Sequence, residues 1–271
     1  MDNENKTLQH KSLSIRISSD GLSFCVYSPS ENPSHTYKVV KPRPVISLAA
    51  NLKEALMNEP LLQQRYKRVN VLVTTPSFTL VPVLDFDREK IDDIYHFLFP
   101  RESQTHVSYN VLRRSGIALI FGLDRNIYKL IQDDFPLARF YASASTLIEF
   151  FSDKSVGSGH KNMYVYIHDD EMTLYCFHEG RLLFVNSYPV HGVNDCQYYI
   201  LNVWEQFGFD QLEDSLDIVD DGDMSELLSD KIKYFIKECN LLDRSDDFRH
   251  TITHGNKIIP YDLQTMLICG F

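Results

Sequence analysis

The stretch 13–26, LSIRISSDGLSFCV, returns in outline 150 residues later as MYVYIHDDEMTLYC at 163–176. Leu13 falls on Met163, Ile15 on Val165, Ile17 on Ile167, Leu22 on Met172, Phe24 on Leu174 and Val26 on Cys176. In both copies every second residue is apolar, the period of a strand that turns one face to a core, and the polar residues between the two runs supply a hairpin bend. The first bend carries Asp20-Gly21, a strong hairpin signal. The second has Asp169, Asp170 and Glu171 and must turn without glycine.

Working outward, each hairpin is followed by a third strand-like run, at 37–40 and at 182–188. A helix comes next in both copies. Leu48, Leu52, Ala55 and Leu56 share a helical face before Pro60, as do Cys196, Tyr199, Ile200, Val203 and Phe207 before Gly208. A further strand follows at 69–73 and at 216–219, so the unit βββαβ occurs twice and the expected class is α/β. Between the copies the pattern predicts strands at 78–84, 106–112 and 116–122, and helices at 89–99, 125–132 and 145–151. The glycines and serine of 153–161 (Gly157, Ser158, Gly159) predict a flexible link. The halves are therefore set at 1–155, the more elaborate one, and 156–271. A helix is predicted over 224–237 with Leu227, Leu228, Ile232 and Phe235 inward, and the last 30 residues give no clear pattern.

Composition bounds the function. The chain has 271 residues, 44% of them hydrophobic, enough for a sizeable core. Its formal charge of -10 disfavours nucleic acid and anionic lipid, because affinity for phosphate comes from Lys and Arg that displace counterions. The same charge favours a partner with a neutral or basic face. Basic groups at Lys38, Lys41 and Arg43 and at Arg65, Lys67 and Arg68 read as solvated surface. Five cysteines (Cys25, Cys176, Cys196, Cys239, Cys269), with no Cys-x-x-Cys pair, argue for buried thiols in a reducing compartment. The polar start MDNENKTLQHK lacks a signal-peptide core, and a cytoplasmic location is expected.

The doubled βββαβ layout resembles the actin-like ATPase superfamily, whose two halves are both ribonuclease H-like. The segment 163–222, with its Asp-rich turn, its YPVHG strand end and a helix entered at Asn194, is similar to the type IV pilus assembly and cell-division members. The chain as a whole resembles an uncharacterised bacterial family of unknown function within that superfamily. The resemblance implies duplicated βββαβα halves with a nucleotide held between the two hairpin turns. Active members carry an Asp-x-Gly-Ser/Thr sequence in each turn, since small residues let backbone N–H groups approach an anion. They add a Gly-Gly pair near the nucleoside after a strand of the second half.

On this sequence those positions fall at Asp20 and Gly21, at Asp169 and Asp170, and at Gly222. The first turn, Ser18-Ser19-Asp20-Gly21, displaces the Asp. The second replaces glycine and hydroxyl with carboxylates. After the last strand only Gly222 remains, among Asp220, Asp221 and Asp223. A carboxylate about 4 Å from a phosphate costs about 4 kcal/mol at a surface-like dielectric. The expectation is a degenerate nucleotide cleft on a non-catalytic module that binds a protein partner, with no cofactor, no membrane and no nucleic acid. The alternative is an atypical ATPase or kinase using ATP and magnesium around Asp20, Asp169 and Asp170.

Other chemistry is weaker. No Gly-Lys-Ser/Thr phosphate loop and no Gly-x-Ser-x-Gly elbow occur. A calcium loop from Asp217 fails, with Val219 at its third position and Leu228 at its twelfth. His250 and His254 flank β-branched residues, so they read as surface histidines rather than helical metal ligands. A ribonuclease H-like nuclease needs an acid on its first strand, and the polar positions there are Ser14, Arg16 and Ser18.

Overall fold

The computed structural model describes residues 11–19, 21–28, 35–100, 102, 104–249, 251, 253 and 258–269, the last without its side chain. The chain divides into two compact units, Met1–Ser145 and Thr146–Phe271.

In the first unit β1 (Ser12–Ser18), β2 (Gly21–Tyr27) and β3 (His35–Val40) form an antiparallel meander. Helix α1 (Leu48–Asn58) crosses back to β4 (Arg68–Val73), which lies parallel to β1. Ser47 caps α1 by accepting the Ala50 N–H at 3.2 Å, and the helix ends before Pro60, which cannot donate into another turn. The elaboration follows. Strand β5 (Phe78–Pro82) gives way at Pro82 to a 3-10 turn, Val83–Asp85, so the strand predicted to 84 is shorter. Next come α2 (Ile91–Leu98), β6 (Thr105–Leu112), β7 (Ile117–Asp124) and α3 (Arg125–Asp134).

Strand β8 (Arg139–Ala142) returns the chain to the first sheet, whose order is β3-β2-β1-β4-β8, while β5, β7 and β6 make a second, antiparallel sheet. Asn110 of β6 ties the two together. Its side chain donates to the Phe140 carbonyl and accepts the Ala142 N–H, both at 2.9 Å, in place of a backbone ladder.

The second unit repeats the first sheet. Helix α4 (Ser143–Ser155) leads to β9 (Lys161–His168), β10 (Glu171–His178) and β11 (Arg181–Pro189). Then follow α5 (Val193–Gln206), β12 (Ser215–Asp220), α6 (Ser225–Ile232), β13 (Glu238–Leu241), α7 (Arg244–Asp247) and α8 (Tyr261–Cys269). Sheet order is β11-β10-β9-β12-β13, position for position that of the first unit. The offset of 150 also carries over the hairpin register: Leu13 pairs with Val26, and Met163 with Cys176.

Three expectations are corrected. The alternating strands do not turn a polar face to water, because Ser14, Arg16 and Ser18 are as buried as Leu13 and Ile15. In β9 and β10 the second face is an aromatic layer, with Phe151 stacked on Tyr164 at 4.3 Å and near Tyr175 and Tyr261. These strands are covered on both faces, although β10 pairs only antiparallel with its neighbours. The helix predicted over 224–237 stops at Ile232, and Leu227 and Phe235 are exposed while Leu228, Ile232 and Ile236 point inward. The predicted flexible link is held in place: α4 runs to Ser155, and the Glu179 carboxylate of the β10–β11 turn accepts the N–H groups of Gly157 and Gly159.

Candidate functional site

Each unit carries a hairpin turn of its own. In the first, Gly21 opens β2 with φ of 144°, and a Cβ there would meet the Pro42 ring at 2.8 Å and the Val40 carbonyl at 3.1 Å. This glycine is needed because the chain leaving β3 packs against it. Beside it the buried Arg16 guanidinium donates to the Ser18 hydroxyl at 2.7 Å. Asp20, the other residue singled out in this turn, lies outside the described residues.

In the second unit the β9–β10 turn is made at Asp169, whose φ of 49° places a non-glycine residue in the left-handed region, where Asp is tolerated better than most. The Asp170 carbonyl accepts the Val190 N–H at 2.9 Å, tying the turn to the end of β11. Burial pushes the Glu171 carboxyl up. His168 Nδ1 lies 3.5 Å from the Asp169 carboxylate.

Strand β12 ends beside β9, with Asp220 paired to Ile167 and the Asp221 N–H donating to the Ile167 carbonyl at 3.0 Å. Asp169, Asp170 and Gly222 therefore stand at the same end of neighbouring strands. The segment after β12 is closed on itself. Asp220 Oδ1 accepts the Gly222 N–H at 2.7 Å, and Oδ2 accepts those of Met224 at 2.7 Å and Ser225 at 3.0 Å. A Cβ on Gly222 would stand 3.2 Å from Asp220 Oδ1.

Asp221 turns the other way. It pairs with Arg244, accepts from the Tyr166 hydroxyl, and takes the Tyr261 N–H at 3.2 Å. Arg244 also donates to the Asp220 carbonyl at 2.7 Å. The acidic run that reads as a barrier to phosphate thus holds the amides of the segment entering α6 and anchors an ion pair. Nothing in the sequence pointed to Arg244.

No group of three or more potential metal ligands occurs among the described residues. His250 and His254 lie outside them. Cys25, Cys176, Cys196 and Cys239 are buried free thiols, and burial pushes Cys25 up to about 12. Among the described residues no helix is long and apolar enough to cross a membrane.

A family model described as "Protein of unknown function (DUF3822)" matches residues 2–239. The chain belongs to this family. A crystal structure from Bacteroides thetaiotaomicron, described as a protein with actin-like ATPase fold and unknown function, resembles this DUF3822 chain over 99% of both chains at 31% identity and a TM-score of 0.84. A type IV pilus biogenesis complex, PilM-PilN, is similar over 87% of this chain and 89% of that one at 9% identity and a TM-score of 0.56, a likeness of fold alone. No curated protein matches. The DUF3822 chain has the actin-like ATPase fold, built from two ribonuclease H-like halves.

Proposed function

We propose that this chain is a non-catalytic actin-like module that binds a protein partner. The observation that carries the reading is the Asp220 carboxylate, which accepts the N–H groups of Gly222, Met224 and Ser225 after β12. Backbone amides exposed by small residues are what a nucleotide loop offers an anion. Here the protein's own carboxylate takes them, and a nucleotide would have to displace a bonded anion while bringing more negative charge beside it. The first turn supports the same reading, because the open side of Gly21 is filled by Pro42. These residues do not fit a polyphosphate. Buried free cysteines favour a reducing, cytoplasmic setting.

The test is titration with ATP and magnesium, read by calorimetry and thermal shift. A ligand present at about 100 times its dissociation constant stabilises by about 2.7 kcal/mol, so saturable binding would be visible. No shift and no turnover are expected. Turnover that disappears in Asp169→Ala would instead establish the atypical ATPase.

A further inference from the structure

The amino end of the first sheet, opposite the β1–β2 turn, gathers segments far apart in sequence. Parallel pairing sets Ser12 beside Arg68 and Asn70 beside Arg139, and the Lys67 N–H donates to the Lys11 carbonyl at 2.9 Å. Residues 65–68 and 136–139, which lead into β4 and β8, therefore share one end of the sheet. With strands about 4.8 Å apart, β1 to β8 span about 10 Å.

Arg65, Lys67 and Arg139 are exposed there, and none pairs with a carboxylate among the described residues. The other basic group differs: Lys38 and Arg43 are paired with Glu59 and Glu54. In the loop entering β8, two residues before Arg139, Leu137 is 91% exposed. A single exposed leucine needs no explanation. A leucine at a sheet end that also carries three unpaired cations, on a chain of charge -10, makes an amphipathic end whose sign opposes the net charge of the molecule.

We propose that this patch docks an acidic segment of a partner protein, its carboxylates meeting Arg65, Lys67 and Arg139 and an apolar side chain covering Leu137. The inference rests on the partner-binding reading above and names the chemistry of that partner. It also departs from the neutral or basic partner that net charge alone favours. Screening over about 8 Å at physiological salt confines the repulsion of distant carboxylates, so the local cations decide contact. A narrow peptide fits better than a flat anionic membrane. The exposed Asp133 and Asp134 close α3 just before the loop, and a plane laid on Leu137 would meet them too.

The experiment uses the full chain and a fluorescent peptide of alternating Glu and Leu, with a Lys-Leu peptide and phosphatidylserine vesicles as alternatives. Anisotropy should show binding of the acidic peptide that weakens as salt rises from about 0.05 to about 0.3 M. The triple variant R65E/K67E/R139E should raise Kd about tenfold or more. Leu137→Asp, with one charge changed, should also weaken binding. The variant K53E/R181E/K233E makes the same charge change at exposed sites elsewhere and should bind as the wild type does. Equal weakening by the two triple variants, absence of acidic-peptide binding, or sedimentation with vesicles in its place would each overturn the proposal. Because the ATP titration reads a different part of the chain, failure here leaves its outcome separately decided. Salt dependence of the wild type keeps the proposal testable if a variant misfolds.

Discussion

Asp220 and Gly222 are joined by a hydrogen bond of 2.7 Å from the glycine N–H to the aspartate carboxylate. Together with the Met224 and Ser225 amides this makes Asp220 the residue that fixes how β12 passes into α6. A hydrogen bond to a charged acceptor contributes about 1.5 to 3 kcal/mol, and three amides lose their acceptor here. Asp220→Ala should lower stability to urea by about 2 kcal/mol, and Asp220→Asn, which keeps one acceptor oxygen, by less. Equal losses in the two variants would mean that charge, not the hydrogen-bond pattern, does the work.

Glu179 predicts a pH dependence of one local structure. Hydrogen bonds from the Gly157 and Gly159 backbones hold its carboxyl below the ordinary Glu value. A depressed folded value means stabilisation that is present above the unfolded value of about 4.3 and lost as pH falls through the folded one. Amide exchange at Gly157 and Gly159 should be slow at neutral pH and should lose protection on acidification. Glu179 also sits at a φ of 50°, so Glu179→Gly should be more stable than Glu179→Ala although both remove the acceptor. The reverse order would show that the backbone there is not strained.

What could be read beforehand was the repeated hairpin, because strand period and apolar identity act over a few residues. Leu13 and Met163 each mark the inward face of their own strand, and the shared offset follows from the shared fold. The second buried face was illegible: Ser14, Arg16, Tyr164 and Tyr166 look like outward polar positions until another layer is known to cover them. Strand β8 was missed because four residues carry too little pattern, and α8 because Asp262, Gln264 and Thr265 are fully buried polar residues that hide its inward face. At the candidate site the residue types were visible and their partners were not. Asp221 and Arg244 lie 23 positions apart and meet only through the fold.

Gly122 is a packing requirement. A Cβ at this position would stand 2.2 Å from the Tyr95 hydroxyl and 2.4 Å from Thr105 Cγ2. Tyr95 cannot readily yield, because it is fully buried and its hydroxyl donates to Glu102, which also accepts from Ser77 at 2.5 Å. Overpacking of this kind costs about 1 to 3 kcal/mol. Gly122→Ala should therefore fall near the upper end of that range by denaturant unfolding. Adding Tyr95→Phe removes the clashing oxygen, and the double variant should recover part of the loss. A fully additive double variant would exclude Tyr95 as the obstacle.

Asp217 carries the opposite sign. It stands on β12 with its carboxylate 3.2 Å from the Asn240 side-chain nitrogen, and burial pushes its carboxyl above the ordinary Asp value. The neighbouring charges partly oppose one another. Lys154 favours ionisation but is already paired with Asp247, which itself disfavours a second carboxylate; His160 favours ionisation more weakly. A raised folded value means that the folded chain binds its proton more tightly than the unfolded chain does. Stability therefore falls as pH rises from the unfolded value, about 3.9, through the folded one, and the penalty is complete above it. Asp217→Asn keeps an oxygen to accept from Asn240 and removes the charge. It should raise Tm at pH 7, and the gain should vanish near about pH 3, where the wild-type group is protonated in both states. A lower Tm for Asp217→Asn at pH 7 would show that attraction to Lys154 outweighs the cost of burial, and the sign assigned to this carboxylate would have to be reversed.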